Sequence, residues 1–222
     1  MSAKPRVPNL GFLIICGSVW GLSEAALGAG LESCARFVSG SIMTGVALFF
    51  ISAAWAKSRR AFGPAIVVGI ALVFKLLDSV LLGLPIRHGA IANPMFAFVT
   101  EGLAFMILVP FVAEAWKRRA VGQAFLGGFS ALAAVNLFPL VKFATGIPAC
   151  VYPGTTTALS LYYAPIAVGV SLITVPLGIA AAARAEAFET SSALKLTGAR
   201  QWLIPTAAAS LCLLIQVLFR SI

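Results

Sequence analysis

Seven apolar segments, at residues 9–31, 37–56, 62–84, 91–116, 121–143, 161–183 and 202–219, occupy most of this 222-residue chain. Each is about 18–26 residues long, the length at which an α-helix crosses the roughly 30 Å hydrocarbon core of a bilayer. Polar or basic breaks separate them: KSRR (57–60), PIRHGA (85–90), KRR (117–119), TGIPACVYPGTTTALS (145–160) and the polar stretch 184–201. Only 10% of residues are charged and mean hydropathy is +1.00. A soluble domain carries about a quarter charged residues, so that class is excluded. The chain is predicted to be an all-α polytopic membrane bundle of six to seven transmembrane helices, one integral membrane domain over 1–222. The count is open by one because Pro205 falls near the start of the last segment and 184–201 also reads as an amphipathic surface helix.

The apolar run that follows Lys4 and Arg6 exceeds the roughly 7–15 residues of a signal-peptide core, so the N-terminus reads as a first span and not a cleavable signal. Lys and Arg collect in cytoplasmic loops. With the N-terminus inside, the inner segments hold eleven of them: Lys4, Arg6, Lys57, Arg59, Arg60, Lys117, Arg118, Arg119, Arg184, Lys195 and Arg200. The outer side holds three, Arg36, Arg87 and Arg220. The bias predicts a cytoplasmic N-terminus in a bacterial inner (plasma) membrane. The net charge of +9 is explained by this asymmetry and does not point to nucleic acid.

Five ionisable residues fall within spans: Glu24, Lys75, Asp78, Glu101 and Lys142. A charge at the bilayer centre costs about 2.5–3.5 kcal/mol or more, and such groups face the bundle interior, pair, and mark sites or pathways. Counting helix rise from the outer ends places Glu24, Lys75, Asp78 and Glu101 in one layer roughly 9–15 Å deep. Lys75 and Asp78, at i, i+3, share a helical face. The expected pairing sets Lys75 between Glu24 and Glu101 and leaves Asp78 for Lys142. Asn93 and Pro94 read as an N-cap and first helical residue, with Asn93, Ala97, Thr100, Glu101 and Ala104 near one face. Asn136, Pro139 and Tyr163 bring polar side chains and a bend to the same region. Two readings stay open. The layer is a polar pocket facing outward, with Glu24, Lys75, Asp78, Asn93, Glu101, Asn136, Lys142 and Tyr163 as substrate-binding residues and a lid of Arg87, His88, Tyr152, Tyr162 and Tyr163. Alternatively it is an ion-pair network that only fixes helix register. A charge layer with both signs suits a zwitterion or polar heterocycle.

The stretch GSVWGLSEAALGAG (17–30) repeats Gly17, Gly21, Ala25 and Ala29 every four residues. This smooth ridge permits close helix approach, for packing inside the bundle or for docking a partner subunit. Cys16 and Cys212 fall inside spans, where a thiol acts as a small hydrophobe. Cys34 and Cys150 fall in predicted outer loops and could pair in an oxidising compartment. With one His and no CxxC, no metal site is predicted. The Walker, HExxH and GxSxG patterns are absent, so no catalytic residue and no cofactor are assigned. An intramembrane enzyme with Glu24 and Glu101 as acid and base is the weaker class.

Over about residues 9–183, the phrases WGLSEAALG and NPMFAFVTEGLAF and the small-residue ridge resemble the substrate-binding S components of energy-coupling factor transporters. The resemblance implies capture of a vitamin-like solute from the outer side. It also implies docking through Gly17, Gly21, Ala25 and Ala29 to a transmembrane coupling subunit driven by ABC ATPases. Two ridge positions are Gly where the family motif has Ala, and a seventh span is predicted. The N-terminal His signature of cobalt and nickel S components is missing, which argues against those metals. A structural or assembly subunit of a membrane complex is the alternative function.

Overall fold

The structure, a computed structural model, describes residues 10–35, 38–112, 114–191 and 202–221. Among these residues there is no β-strand, and seven helices are long and apolar enough to cross a membrane. The spans are α1 (Leu10–Ala35), α2 (Ser39–Ser58), α3 (Phe62–Leu81) and α4 (Gly89–Leu108). After the one-turn α5 (Glu114–Lys117) come α6 (Ala120–Leu137), the short α7 (Val141–Thr145) and α8 (Leu159–Tyr162), then α9 (Ala164–Ser191) and α10 (Leu203–Ser221). The chain is an integral membrane protein by this architecture. The polar stretch after 184 is in part a continuation of α9, which runs on to Ser191; residues 192–201 lie outside the described residues.

Neighbour relations follow from who packs on whom. The most extensive contact joins α2 to α9, and α9 also lies against α6. α1 packs on α3, and α10 closes the bundle against α1 and α3. The α2–α9 pair is held in register at three levels. Ser41 Oγ donates to the Tyr163 carbonyl (3.1 Å), Ser52 Oγ to the Val175 carbonyl (3.3 Å), and Lys57 Nζ pairs with Glu189 (2.6 Å). Aromatic contacts fill the centre: Trp20 on Phe98 at 4.8 Å and Trp55 on Phe105 at 6.2 Å between ring centroids. Large apolar side chains such as Val80, Ile107, Phe129, Ile173 and Leu218 point outward, as expected where the solvent is lipid.

The two ends differ. One is basic and regular. There Arg59 closes α2 in the left-handed conformation (φ 55°), its N–H bonded to the Trp55 carbonyl at 2.6 Å. Trp55 lies under both the Arg59 guanidinium (5.3 Å) and the Lys117 ammonium (5.7 Å). Lys117 also pairs with exposed Glu114 (2.7 Å) and holds that carboxyl below its ordinary range. The other end carries the connections 82–88 and 146–158. Pro139 breaks the last turns of α6: the helix gives way to a 3-10 turn, Phe138–Leu140, before α7 resumes. The loop that follows folds back on itself through an isolated antiparallel bridge between Val151 and Ala158.

Helix α4 begins earlier than the sequence suggests. His88, not Asn93, is the N-cap; its ring nitrogen accepts from the Ala90 N–H at 3.2 Å, and Pro94 lies inside the helix. Asn93 is thereby released from capping and turned into the bundle. The small-residue ridge also needs correction as a docking surface. A Cβ at Gly17 would run into Ile70, and one at Gly21 into Phe74, both on α3, while Ala25 is buried. Gly17 and Gly21 therefore let α1 approach α3 within the bundle; the side chain of Ala29 lies outside the described residues. We expect Gly21→Ala to destabilise the protein by about 1–3 kcal/mol through overpacking, read by thermal unfolding in detergent. Gly69→Ala, where the added methyl meets open space, should leave the midpoint unchanged.

Candidate functional site

A cavity of about 320 Å³ lies in the half of the bundle nearer the connections 82–88 and 146–158. Helix α1 contributes Glu24; the first turns of α2 contribute Ser39, Ser41, Met43 and Thr44; α3 contributes Lys75. The largest share of the wall is α4, with Asn93, Ala97, Thr100 and Glu101 on one face and Phe98 and Pro94 beside them. Ala97 is the small residue that leaves room between Asn93 and Glu101. Ala134, Val135 and Phe138 of the broken helix, and Cys150, Leu159 and Ser160 of the folded loop, complete the enclosure.

Charges are buried here. Glu24 is 6% exposed, Glu101 4% and Lys75 9%. The two carboxylates are near enough to act on each other electrostatically, and the Thr44 hydroxyl lies beside Glu101. Glu24 in turn feels Lys75, Asp78 and Arg220.

Asp78 stands behind the wall and not in it. Its carboxylate receives two parallel bonds from Arg220, Nε to Oδ1 and Nη2 to Oδ2, each 3.0 Å. Gln216 donates to the same Oδ1 at 2.9 Å, and Lys75 Nζ approaches Oδ2 at 3.3 Å. With Asp78 only 1% exposed, this is a satisfied buried charge. A fork-to-fork arginine–carboxylate pair is among the stronger polar contacts. Gln216 Nε2 also reaches the Phe74 carbonyl at 3.0 Å, so α10 is fixed to α3 by backbone as well as by charge.

The expected pairing is therefore corrected. Among the described ion pairs Lys75 meets Asp78, not Glu24 or Glu101, and Asp78 meets Arg220, not Lys142. Glu24, Lys75, Asn93 and Glu101 come together in the cavity wall. Asp78, Asn136, Lys142 and Tyr163 do not line it. Asn136 is exposed and donates to its own helix at the Leu132 carbonyl (2.7 Å). Lys142 is exposed beside fully buried Val141, because the 3-10 turn at Pro139 re-phases the helix. Tyr163 accepts from Ser41 through its backbone. Its ring joins those of Tyr152 and Tyr162, which stack at 3.9 Å. Cys150 is exposed and edges the cavity; the side chain of Cys34, and hence the proposed pairing, lies outside the described residues. Sequence reasoning missed Gln216 and Arg220. Their i, i+4 spacing on an otherwise apolar helix was the available signal. Among the described residues no group of three His, Cys, Asp or Glu side chains is placed to hold a metal ion.

No protein-family model, curated protein or solved structure matches the chain.

Removing one member of a buried pair strands the other, at about 3–5 kcal/mol. Arg220→Ala should lower stability by that amount in a denaturant titration in mixed micelles. The double variant Asp78→Ala with Arg220→Ala should recover part of the loss, since it leaves no carboxylate without a partner.

Proposed function

We propose that the protein is a solute-binding subunit that captures a small polar molecule in this cavity as the first step of uptake. One observation carries the reading: a cavity in the membrane-spanning bundle whose wall includes the buried ionisable residues Glu24, Lys75 and Glu101. Ionisable groups inside a membrane protein are retained at a cost and mark sites or pathways. Polar groups converging on an otherwise apolar cavity are the usual composition of a ligand site.

Orientation follows from the distribution of cations. Lys57, Arg59, Arg60, Lys117, Arg118, Arg119 and Arg184 lie at the end opposite the cavity. By the positive-inside rule that end is cytoplasmic, the N-terminus is inside, and the cavity opens toward the outer face of a bacterial plasma membrane. The folded loop 146–158 then acts as its cover. The chain carries no nucleotide motif, so accumulation of solute against a gradient would draw on a transmembrane coupling subunit and ABC ATPases, in the manner of the S components it resembles. Because Gly17 and Gly21 face α3, a coupling subunit would meet another face of the bundle.

A second reading, a structural subunit whose charges only pair internally, is favoured by one specific observation, the fully satisfied Asp78. Mass spectrometry of the denatured, purified protein distinguishes the two. A stoichiometric small molecule should accompany the wild type and be lost from Glu101→Gln, with circular dichroism and melting behaviour retained. Absence of any compound, together with collapse of the Glu101→Gln fold, would establish the structural reading instead.

A further inference from the structure

Resting on the reading of the cavity as a ligand site, we propose that its ligand is a small organic monocation rich in N–H donors, seated between Glu24 and Glu101. The first argument is charge. Among the described residues the buried layer holds three carboxylates, Glu24, Asp78 and Glu101, against two cations, Lys75 and Arg220. Arg220 is bound through Nε and Nη2 to Asp78, and Lys75 leans on the same carboxylate. With all three carboxylates ionised one negative charge would be left over, and Glu24 and Glu101, both in the cavity wall, are the two that no described ion pair neutralises. A buried charge without a counter-charge is costly in a low-dielectric setting, and a cationic ligand supplies the missing partner.

The second argument, independent of charge, is hydrogen-bond polarity. A hydroxyl has one proton to donate and two lone pairs to accept with. Ser41 gives its proton to the Tyr163 carbonyl, Thr100 to Ala97, and Ser160 to Val135, at 3.1, 2.9 and 3.1 Å. Thr44 Oγ1 is 3.1 Å from the Gly40 carbonyl and lies beside Glu101, so its proton is engaged within the protein as well. These wall hydroxyls keep only acceptor capacity for a guest. Asn93 adds a buried side-chain oxygen with no hydrogen-bond partner. Pro94 has no N–H to offer the carbonyl four residues back, which belongs to Ala90, another wall residue. Apart from Lys75, whose ammonium leans on Asp78, these groups offer acceptors, which match a donor-rich cation better than a carboxylate or phosphate. Phe98 and Phe138 provide apolar and π surface for the body of such a ligand.

Three probes of one shape separate charge from fit: benzamidinium, neutral benzamide and the anion benzoate. The full chain in detergent is titrated with each, and the melting temperature is followed. Benzamidinium should stabilise the protein in a saturable manner, benzamide at least about thirtyfold more weakly, and benzoate not at all, since truncating a buried charge contact costs 2 kcal/mol or more. Glu24→Gln and Glu101→Gln should each weaken benzamidinium binding by at least about thirtyfold. Two variants guard against one failing to fold. Stabilisation by benzoate equal to that by benzamidinium overturns the cation assignment while leaving ligand capture standing, as does a co-purifying compound that is an anion. No response to any probe, with no co-purifying compound, overturns both. Benzamidinium binding that survives both substitutions places the cation elsewhere and also overturns the proposal.

Discussion

A carboxylate buried in a membrane protein must be matched, and the manner in which Asp78 is matched organises the structure around it. Arg220 takes it by a two-point bond, Gln216 shares one of its oxygens, and Lys75 approaches the other. These contacts fasten α10 to α3 at one depth and one rotation. They also set the rotation of α3, so that Lys75 faces the cavity while Asp78 faces away. Because Arg220 is consumed by Asp78 and Lys75 pairs with the same carboxylate, Glu24 and Glu101 are left without a partner among the described ion pairs. The clamp that closes the bundle on one side thereby determines the electrostatic character of the space on the other.

Two proline-dependent features of the backbone lie in the same half of the molecule. Pro94 lies inside α4, and Pro139 converts the end of α6 to a 3-10 turn. Non-helical backbone at membrane depth is tolerated where it is buried in protein or lines a cavity. Here it does both. Pro139 cannot donate to the carbonyl of Val135 four residues earlier, and Ser160 of the folded loop donates to that oxygen instead. The break in the helix thus supplies the attachment point for the cover. The opposite end has helices without interior proline in α2 and α3, and Trp55 held between Arg59 and Lys117. That arrangement suits an anchored interface more than a moving one.

The spans were legible because their signal is local: an apolar run of sufficient length needs no tertiary context. So was the face of α4, since Asn93, Ala97, Thr100 and Glu101 follow helical spacing wherever the helix starts. The start itself was misread. Asn-Pro is a good helix opening in isolation, but His88 supplies a cap one turn and more upstream, and Pro94 is tolerated inside. The pairing scheme failed for a different reason. Lys75 with Asp78 is a local relation and was visible; Asp78 with Arg220 spans 142 positions, and no periodicity reports it. Lys142 was expected to partner Asp78 from the next helix; the bend at Pro139 was foreseen, but not that the 3-10 turn there leaves Lys142 exposed. The ridge on α1 was read correctly as a surface for close approach, but spacing alone does not say which helix approaches.

The distance in sequence between Asp78 and Arg220 has a consequence for biosynthesis. Chains grow at about 5–20 residues per second, so the 142 residues separating the two represent roughly seven to thirty seconds. Throughout that interval α3 has been made and its guanidinium partner has not. Lys75, three residues from Asp78 on the same helix, is the one counter-ion that leaves the ribosome with it. The longer 3.3 Å contact, minor beside the arginine fork in the finished protein, is the chaperone of the charge while α3 waits in the bilayer for the last helix to arrive.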